Sequence, residues 1–357
     1  MVATRENIIF WLFVPATPRQ QVVDFAGHFY NSSWIRRWLV IVANGEVRPV
    51  RVASKFCESS GMLFVPKRGW GMKLIRHGES GKERPGILLG DGTRVDVSAF
   101  GSDYDETFFG NDGLTSLREW VKRNLSSAPR ISSTVRLGPP IRRPSKIVCI
   151  GLNYRDHAAE TNAAIPKEPV IFFKSTSSLV GPNDALVIPK NGTKVDWEVE
   201  LAVVILKKTL YVPMEKALDF VAGYALHNDY SERAFQLERG GQWVKGKSAD
   251  TFAPLGPFLA TRDEIPQPDN LQMWLKVNGE TRQSSSTANM IFDVPRLVSY
   301  VSQFMTLFPG DVISTGTPAG VGLGMKPPQY LKAGDIVELG IDGLGESRQQ
   351  VSNFSGE

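Results

Sequence analysis

The segment Asp196-Trp-Glu198-Val-Glu200-Leu-Ala-Val-Val-Ile-Leu206 constrains the fold more than any other. From Leu201 onward every position is apolar, so a strand here is covered on both faces and lies inside a layered structure. Two carboxylates stand at its start, at i and i+2, which puts them on one side of the strand about 7 Å apart along the backbone. Like charges buried without a partner are costly, and a shared cation removes that cost. A solvated strand end with two exposed glutamates is the competing reading.

Nothing in the composition opposes a large core: the chain has 357 residues, 42% hydrophobic and 22% charged. The net charge of +4 is uneven. Residues 1–71 carry nine Lys/Arg against four Asp/Glu, and the rest carries 32 against 33. A nearly neutral body does not indicate a nucleic-acid surface. Two cysteines, Cys57 and Cys149, make no disulfide framework, and Cys149 reads as a small buried hydrophobe. A reducing, cytoplasmic location is therefore expected. No apolar run reaches about 18 residues, so no membrane span is expected. The run Ile8–Val14 is short and only Arg5 precedes it, which does not make a signal peptide.

Residues 1–71 hold four of the eight tryptophans and no clean period, and are set apart as an atypical extension. Met72 is read as the true start, with the extension as translated upstream sequence; a transit peptide or an added module is the rival reading. Residues 72–143 are expected to form a small β-rich domain, with strands at Met72–Arg76, Ile87–Leu89 and Val95–Val97 and one helix at Gly113–Asn124. Leu137–Pro144 reads as a stiff linker. In the second domain, strands are expected at Ile147–Ile150, Val170–Phe173, Glu198–Leu206, Gly223–His227, Gln272–Val277, Asp311–Thr315 and Ile336–Ile341. Helices are expected at Asp156–Ala164, Met214–Phe220, Ser231–Arg239 and Val294–Gln303. Strands outnumber helices without strict βαβ alternation, which points to an α+β fold with a curled mixed sheet.

A further acid, Asp229, ends the apolar strand Tyr224-Ala-Leu-His-Asn-Asp229, ahead of a helix that carries Arg233 and Gln236 on one face. Asp229 is also a common residue type for a helix cap. Three carboxylates with open water positions suit Mg²⁺ or Mn²⁺, and the lack of Cys/His clusters argues against structural zinc. His157 and Glu160 stand one helical turn apart, either as a general base with its orienting carboxylate or as a surface pair without function. His28, His77 and His227 lack such a partner and read as structural or solvated. Gly241–Ser248 fits a phosphate-loop spacing, but a helix precedes it and Ala249–Pro254 cannot continue one, so the match is rejected. Lys247 within it is an ordinary surface lysine or a cation near an anionic substrate. The strand Asp311–Thr315 runs into a glycine-rich loop that could bind a carboxylate or be a flexible turn.

Taken in order, IGLNYRDHAAE, EPVIFFKS, EVELAVV, GYALHND, KGKSADTFAPLGP, LKVNGETRQ, STANMIF, GDVISTGTPAGVG and KAGDIVELGIDGLG resemble the fumarylacetoacetate hydrolase family over about residues 146–352. The segment from Met72 is similar to the small N-terminal domain of bacterial members. The resemblance implies a mixed β-sandwich roll with a Mg²⁺ or Mn²⁺ site, in a homodimer. It implies Glu198, Glu200 and Asp229 as metal ligands, with His157, Glu160 and Lys247 catalytic. Arg233, Gln236, Thr315, Gly316 and Thr317 would contact the substrate. Where the animal enzyme has a further metal-binding aspartate, seven residues before the catalytic histidine, this chain has Ile150. The implied reaction is carbon–carbon hydrolysis of a small 2,4-dioxo acid of sugar-acid or acylpyruvate type. The same site would also suit a ureidoglycolate lyase, an oxaloacetate decarboxylase or a dienoate isomerase. A non-catalytic binding protein that keeps the fold is the reading from a different class.

Overall fold

The structure, a computed structural model, describes residues 38–43, 46–51 and 71–356. Within the N-terminal extension, Trp38–Ala43 and Glu46–Arg51 pair as an antiparallel hairpin. The other readings of residues 1–71, His28 and Cys57 among them, fall outside the described residues.

From Gly71 onward the described residues form one compact unit. Its spine is a long mixed sheet. In spatial order the strands are Arg130–Ile131, Arg94–Asp96, Arg84–Leu88, Lys73–His77, Leu259–Thr261, Val221–Asn228, Val199–Ile205, Val312–Ser314, Ile147–Gly151 and Val170–Lys174. Among the described strands of this sheet only Val312–Ser314 and Ile147–Gly151 run parallel to each other. A second sheet orders Leu186–Ile188, Gly345–Asn353, Ile336–Ile341, Gln272–Val277 and Glu280–Ser286. The mixed α+β architecture expected from the sequence is thus present.

The acidic strand shows why. Along Val199–Ile205 all residues are buried, and alternate side chains enter different cores. Val199, Leu201, Val203 and Ile205 join a core with Met273, Leu275, Val337 and Leu339 of the second sheet. Ala202 and Val204 join another with Phe108, Phe109, Leu114, Leu117 and Val121 from the helical side. An apolar residue at every position is what a strand between two cores requires. The helix Gly113–Asn124 matches the sequence expectation at both ends.

Several elements differ from expectation. Lys73–His77 pairs directly with Leu259–Thr261, so residues 72–143 extend the sheet that carries the acidic strand. Leu137–Gly138 adds a short pairing to Lys73–His77, and Pro139, Pro140 and Ile141 are buried; the expected linker is packed because its proline and aliphatic carbon is apolar surface. Met214–Phe220 is a 3₁₀ segment rather than an α-helix. The helix expected from Asp156 spans Arg155–Glu160 and stops short of Ala164, as Asn162 takes a left-handed backbone. The helix after Asp229 shrinks to Arg233–Leu237, and a separate turn of helix follows at Val244–Lys247.

At Gly223 the backbones of Val221–Asn228 and Leu259–Thr261 approach so closely that a Cβ would lie 2.0 Å from the Ala260 carbonyl oxygen. Gly223→Ala is therefore expected to lower stability by about 2–3 kcal/mol through overpacking, read as a fall in the urea midpoint with an unchanged slope.

Candidate active site

The three acids meet where the acidic strand and its neighbour end. Val199 pairs with Asn228 and Glu200 with His227, and the Asp229 N–H donates to the Glu198 carbonyl oxygen at 2.9 Å. One carboxylate oxygen from each of Glu198, Glu200 and Asp229 lies within 4.8 Å of the others, and all three residues are buried. Asp229 is no helix cap. That place belongs to Glu232, which accepts from the Phe235 N–H.

Buried bases answer these acids. Lys247 Nζ donates to Glu198 Oε2 and Asp229 Oδ2, both at 2.8 Å. Lys174 Nζ donates to Asp229 Oδ1 at 2.5 Å and to the Tyr230 carbonyl at 2.9 Å. Arg233 bridges Glu198 Oε1 at 2.6 Å and Asp196 Oδ2 at 2.8 Å, and donates to Gln236 Oε1 at 3.0 Å. Burial works against the Asp229 carboxylate, but Lys174 and Lys247 outweigh it and hold its pKa below the ordinary range. Burial likewise opposes the Lys247 ammonium, and Asp229 and Glu198 reverse that and raise its pKa.

Glu200 is different. Burial, then the charges of Asp229 and Glu198, push its pKa well up. Its hydrogen bonds, from the Ser314 hydroxyl at 2.5 Å and the Gly316 N–H at 2.9 Å, both fall on Oε2. Among the described residues Oε1 has no protein donor, and Glu200 lines the cleft. With Glu200 ionised, as a bound cation would make it, Asp196, Glu198, Glu200 and Asp229 would set four negative charges against the three positive charges of Lys174, Arg233 and Lys247. One excess carboxylate and an all-oxygen donor set fit a hard divalent cation. Bound there, it would leave a local charge of +1, which suits an anionic ligand.

The helix Arg155–Glu160 closes over this group. His157 Nδ1 lies 3.2 Å from Glu160 Oε2, and Glu160 Oε1 accepts from the Gly320 N–H at 2.9 Å. With Nδ1 turned to the carboxylate, Nε2 is the ring nitrogen left for the cleft. Beneath the helix, buried Asn153 donates to the carbonyls of Thr315 and Phe292 and accepts from the Phe292 N–H, which ties its base to the glycine-rich loop.

A cleft of about 60 Å³ brings His157, Glu198, Glu200, Arg233, Gln236, Lys247 and Thr317 together, with Ile150, Gly151, Leu152, Phe172 and Trp243. Thr315 and Gly316 lie outside the lining: the Thr315 hydroxyl donates to the Leu201 carbonyl, and Gly316 serves Glu200 through its N–H. A Cβ at Gly316, whose φ is +97°, would lie 2.8 Å from Asn153 Cβ, so glycine is required there. The Thr317 hydroxyl is also occupied, donating to the Val199 carbonyl and accepting from Gln283.

The rejected phosphate-loop match finds its explanation here. A Cβ at Gly246 would sit 2.4 Å from the Glu232 carbonyl oxygen. Glycine therefore allows the turn Val244–Lys247 to press against Arg233–Leu237, which delivers Lys247 to the acids.

Sequence reasoning missed Lys174, Asn153, Ser314, Asp196, Trp243 and the part played by His227. Lys174 had a signal, as one charge closing the apolar run Val170–Lys174. His227, read as structural or solvated, is buried, and its Nδ1 lies 2.7 Å from the Ser314 hydroxyl that holds Glu200. Burial drives its pKa down to about 3, so it is neutral at ordinary pH.

Without added metal, Lys247→Met should lower stability by about 3–5 kcal/mol, because it strands two buried carboxylates. Glu200→Gln, which replaces a buried carboxyl that has no cationic partner, should be neutral or stabilising by the same urea titration.

Comparison with known proteins bears on this arrangement. The family described as Fumarylacetoacetate (FAA) hydrolase C-terminal matches residues 146–352. A Burkholderia ambifaria protein named "Putative hydrolase" is 53% identical over 283 residues, which are 79% of this chain and 99% of that one. A fumarylacetoacetate hydrolase from the psychrophilic Exiguobacterium antarcticum is 37% identical, with a TM-score of 0.69 over 79% of this chain and 100% of that one. Maleylpyruvate hydrolase from Sphingobium sp. SYK-6, in complex with manganese(II) ion and pyruvate, is 32% identical, with a TM-score of 0.67 over 79% of this chain and 99% of that one.

Proposed function

The chain belongs to the fumarylacetoacetate hydrolase family and is an enzyme, and from that premise we propose that it hydrolyses a carbon–carbon bond of a small 2,4-dioxo acid with the help of Mg²⁺ or Mn²⁺. The observation that carries the reading is the convergence of Glu198, Glu200 and Asp229 within 4.8 Å, beside a cleft that Glu198 and Glu200 line together with His157. The manganese and pyruvate in the Sphingobium relative support a divalent ion and a 2-oxo acid.

Glu198, Glu200 and Asp229 would hold the ion, which supplies Lewis-acid polarisation of the substrate's 2-oxo and carboxylate oxygens. His157, oriented by Glu160, accepts a proton from a water at Nε2. That water adds to the C4 carbonyl. Collapse of the C4 oxyanion breaks the C3–C4 bond and leaves one carboxylic acid, and the bonding electrons pass to C3 as the enolate of pyruvate, which takes the proton back from His157 Nε2. Lys247, with two of its three N–H bonds on Glu198 and Asp229, lines the cleft where that negative charge develops. Gln236 and Thr317 line the same cleft and in this reading position the acid.

Assays of acylpyruvates and 2,4-diketo-3-deoxy sugar acids should show turnover with Mg²⁺ or Mn²⁺ and none with EDTA. Turnover of oxaloacetate or ureidoglycolate alone would change the reaction to a lyase. Activity on none would remove the enzymatic assignment of the site. His157→Ala should lower kcat by about 10²–10⁴-fold while leaving Mn²⁺ affinity intact, and an unchanged kcat would reject the general-base role.

A further inference from the structure

The cleft is mixed in its chemistry. Beside the carboxylates and Lys247, the cleft is lined by the apolar set Ile150, Leu152, Phe172 and Trp243. The Trp243 ring meets Phe172 edge-on, with 5.3 Å between centroids. The Phe172 ring in turn lies under the Lys247 ammonium, 5.0 Å from its centroid. The other side of the indole rests on Gly151, where a Cβ would come within 2.7 Å of Trp243 Cζ3. The indole is thereby fixed between Phe172 and the backbone of Gly151.

Among the described residues each cation that lines the cleft already has carboxylate partners, and none of them is bonded to Trp243 or Leu152. Arg233 is paired with Asp196 and Glu198, Lys247 with Glu198 and Asp229, and His157 with Glu160. One neutral donor remains. Arg233 occupies Gln236 Oε1, and among the described residues Gln236 Nε2 has no protein acceptor.

We propose that Trp243, backed by Phe172 and Gly151, selects a 2-oxo acid whose far end is uncharged and rejects one that ends in a second carboxylate. The inference rests on the 2-oxo-acid reading above and adds the substrate class. Glu198 and Glu200 would hold the 2-oxo end through the ion, which leaves the remainder of a short substrate to the apolar lining that carries Trp243. A carboxylate there would lose water against aromatic and aliphatic carbon with no cation to compensate it. An alkyl or hydroxylated chain loses nothing comparable, and the Gln236 amide can donate to its carbonyl or hydroxyl oxygen.

Two inert ligands test this directly. 2-Oxopentanoate and 2-oxopentanedioate differ only in that a methyl replaces the far carboxylate, and neither has the 4-oxo group that cleavage needs. Calorimetry with the full chain and Mn²⁺ should give about 30-fold tighter binding of the monoacid, the scale of one unpaired buried charge partly relieved by solvent. Trp243→Arg should narrow or invert that ratio, and Trp243→Phe should keep it. Equal or tighter binding of the diacid to the wild type overturns the selective lining and leaves the 2-oxo-acid reading standing. So does an unchanged ratio in a folded Trp243→Arg variant. If neither ligand binds, both readings fall. The wild-type ratio decides the proposal even if the arginine variant fails to fold.

Discussion

Four acids and three bases share one buried end of a sheet, and the rest of the site follows from how they are matched. Lys247 bridges Glu198 and Asp229, Lys174 holds the second oxygen of Asp229, and Arg233 joins Glu198 to Asp196. Each of those carboxylates gains a partner strong enough to offset its desolvation. Glu200 alone is met only by a hydroxyl and a backbone N–H, and its pKa is driven up. Glu200 is therefore the one carboxyl of the four without a cationic partner, and it lines the cleft in which a small acid would be handled. Site and charge imbalance are one feature.

The sheet makes this possible by burying the acidic strand on both faces and stopping its pairing at the acids. Backbone approaches too close for a side chain then bring the remaining groups in. Gly246 lets the Lys247 turn lie on the neighbouring helix, Gly316 lets the loop reach Glu200, and Gly151 receives the Trp243 ring. Asn153 and Glu160 fasten the overhanging helix to the glycine-rich loop from two points. Among the described residues no helix is long and apolar enough to cross a membrane.

Much of this was legible in the sequence where a periodic signal existed. Gln272–Val277 and Ile336–Ile341 match their expected limits because buried alternation marks both ends. The acids were legible because carboxylates interrupting an apolar run are costly without a partner. Other elements carry no local pattern. Glu280–Ser286 is a polar strand with neither the period nor the composition of one, and is held by pairing with Gln272–Val277. The turn at Val244–Lys247 exists because tertiary packing presses it against Arg233–Leu237. Lys174 and His227 were underread for a related reason: each lies in an apolar strand, and its partner is remote in sequence. Asp229 is 55 residues from Lys174, and Ser314 is 87 from His227. The threonine loop shows the reverse case. Residue type suggested carboxylate-binding hydroxyls at Thr315 and Thr317, while the fold engages both with backbone carbonyls of the acidic strand.

The most direct test of the account is the stoichiometry and linkage of Mn²⁺ binding, followed by electron paramagnetic resonance with and without pyruvate. The account predicts one Mn²⁺ per chain, bound about tenfold or more tightly when pyruvate is present, and lost in the double variant Glu200→Gln, Asp229→Asn. Binding that survives the double variant, or that pyruvate leaves unchanged, would contradict it.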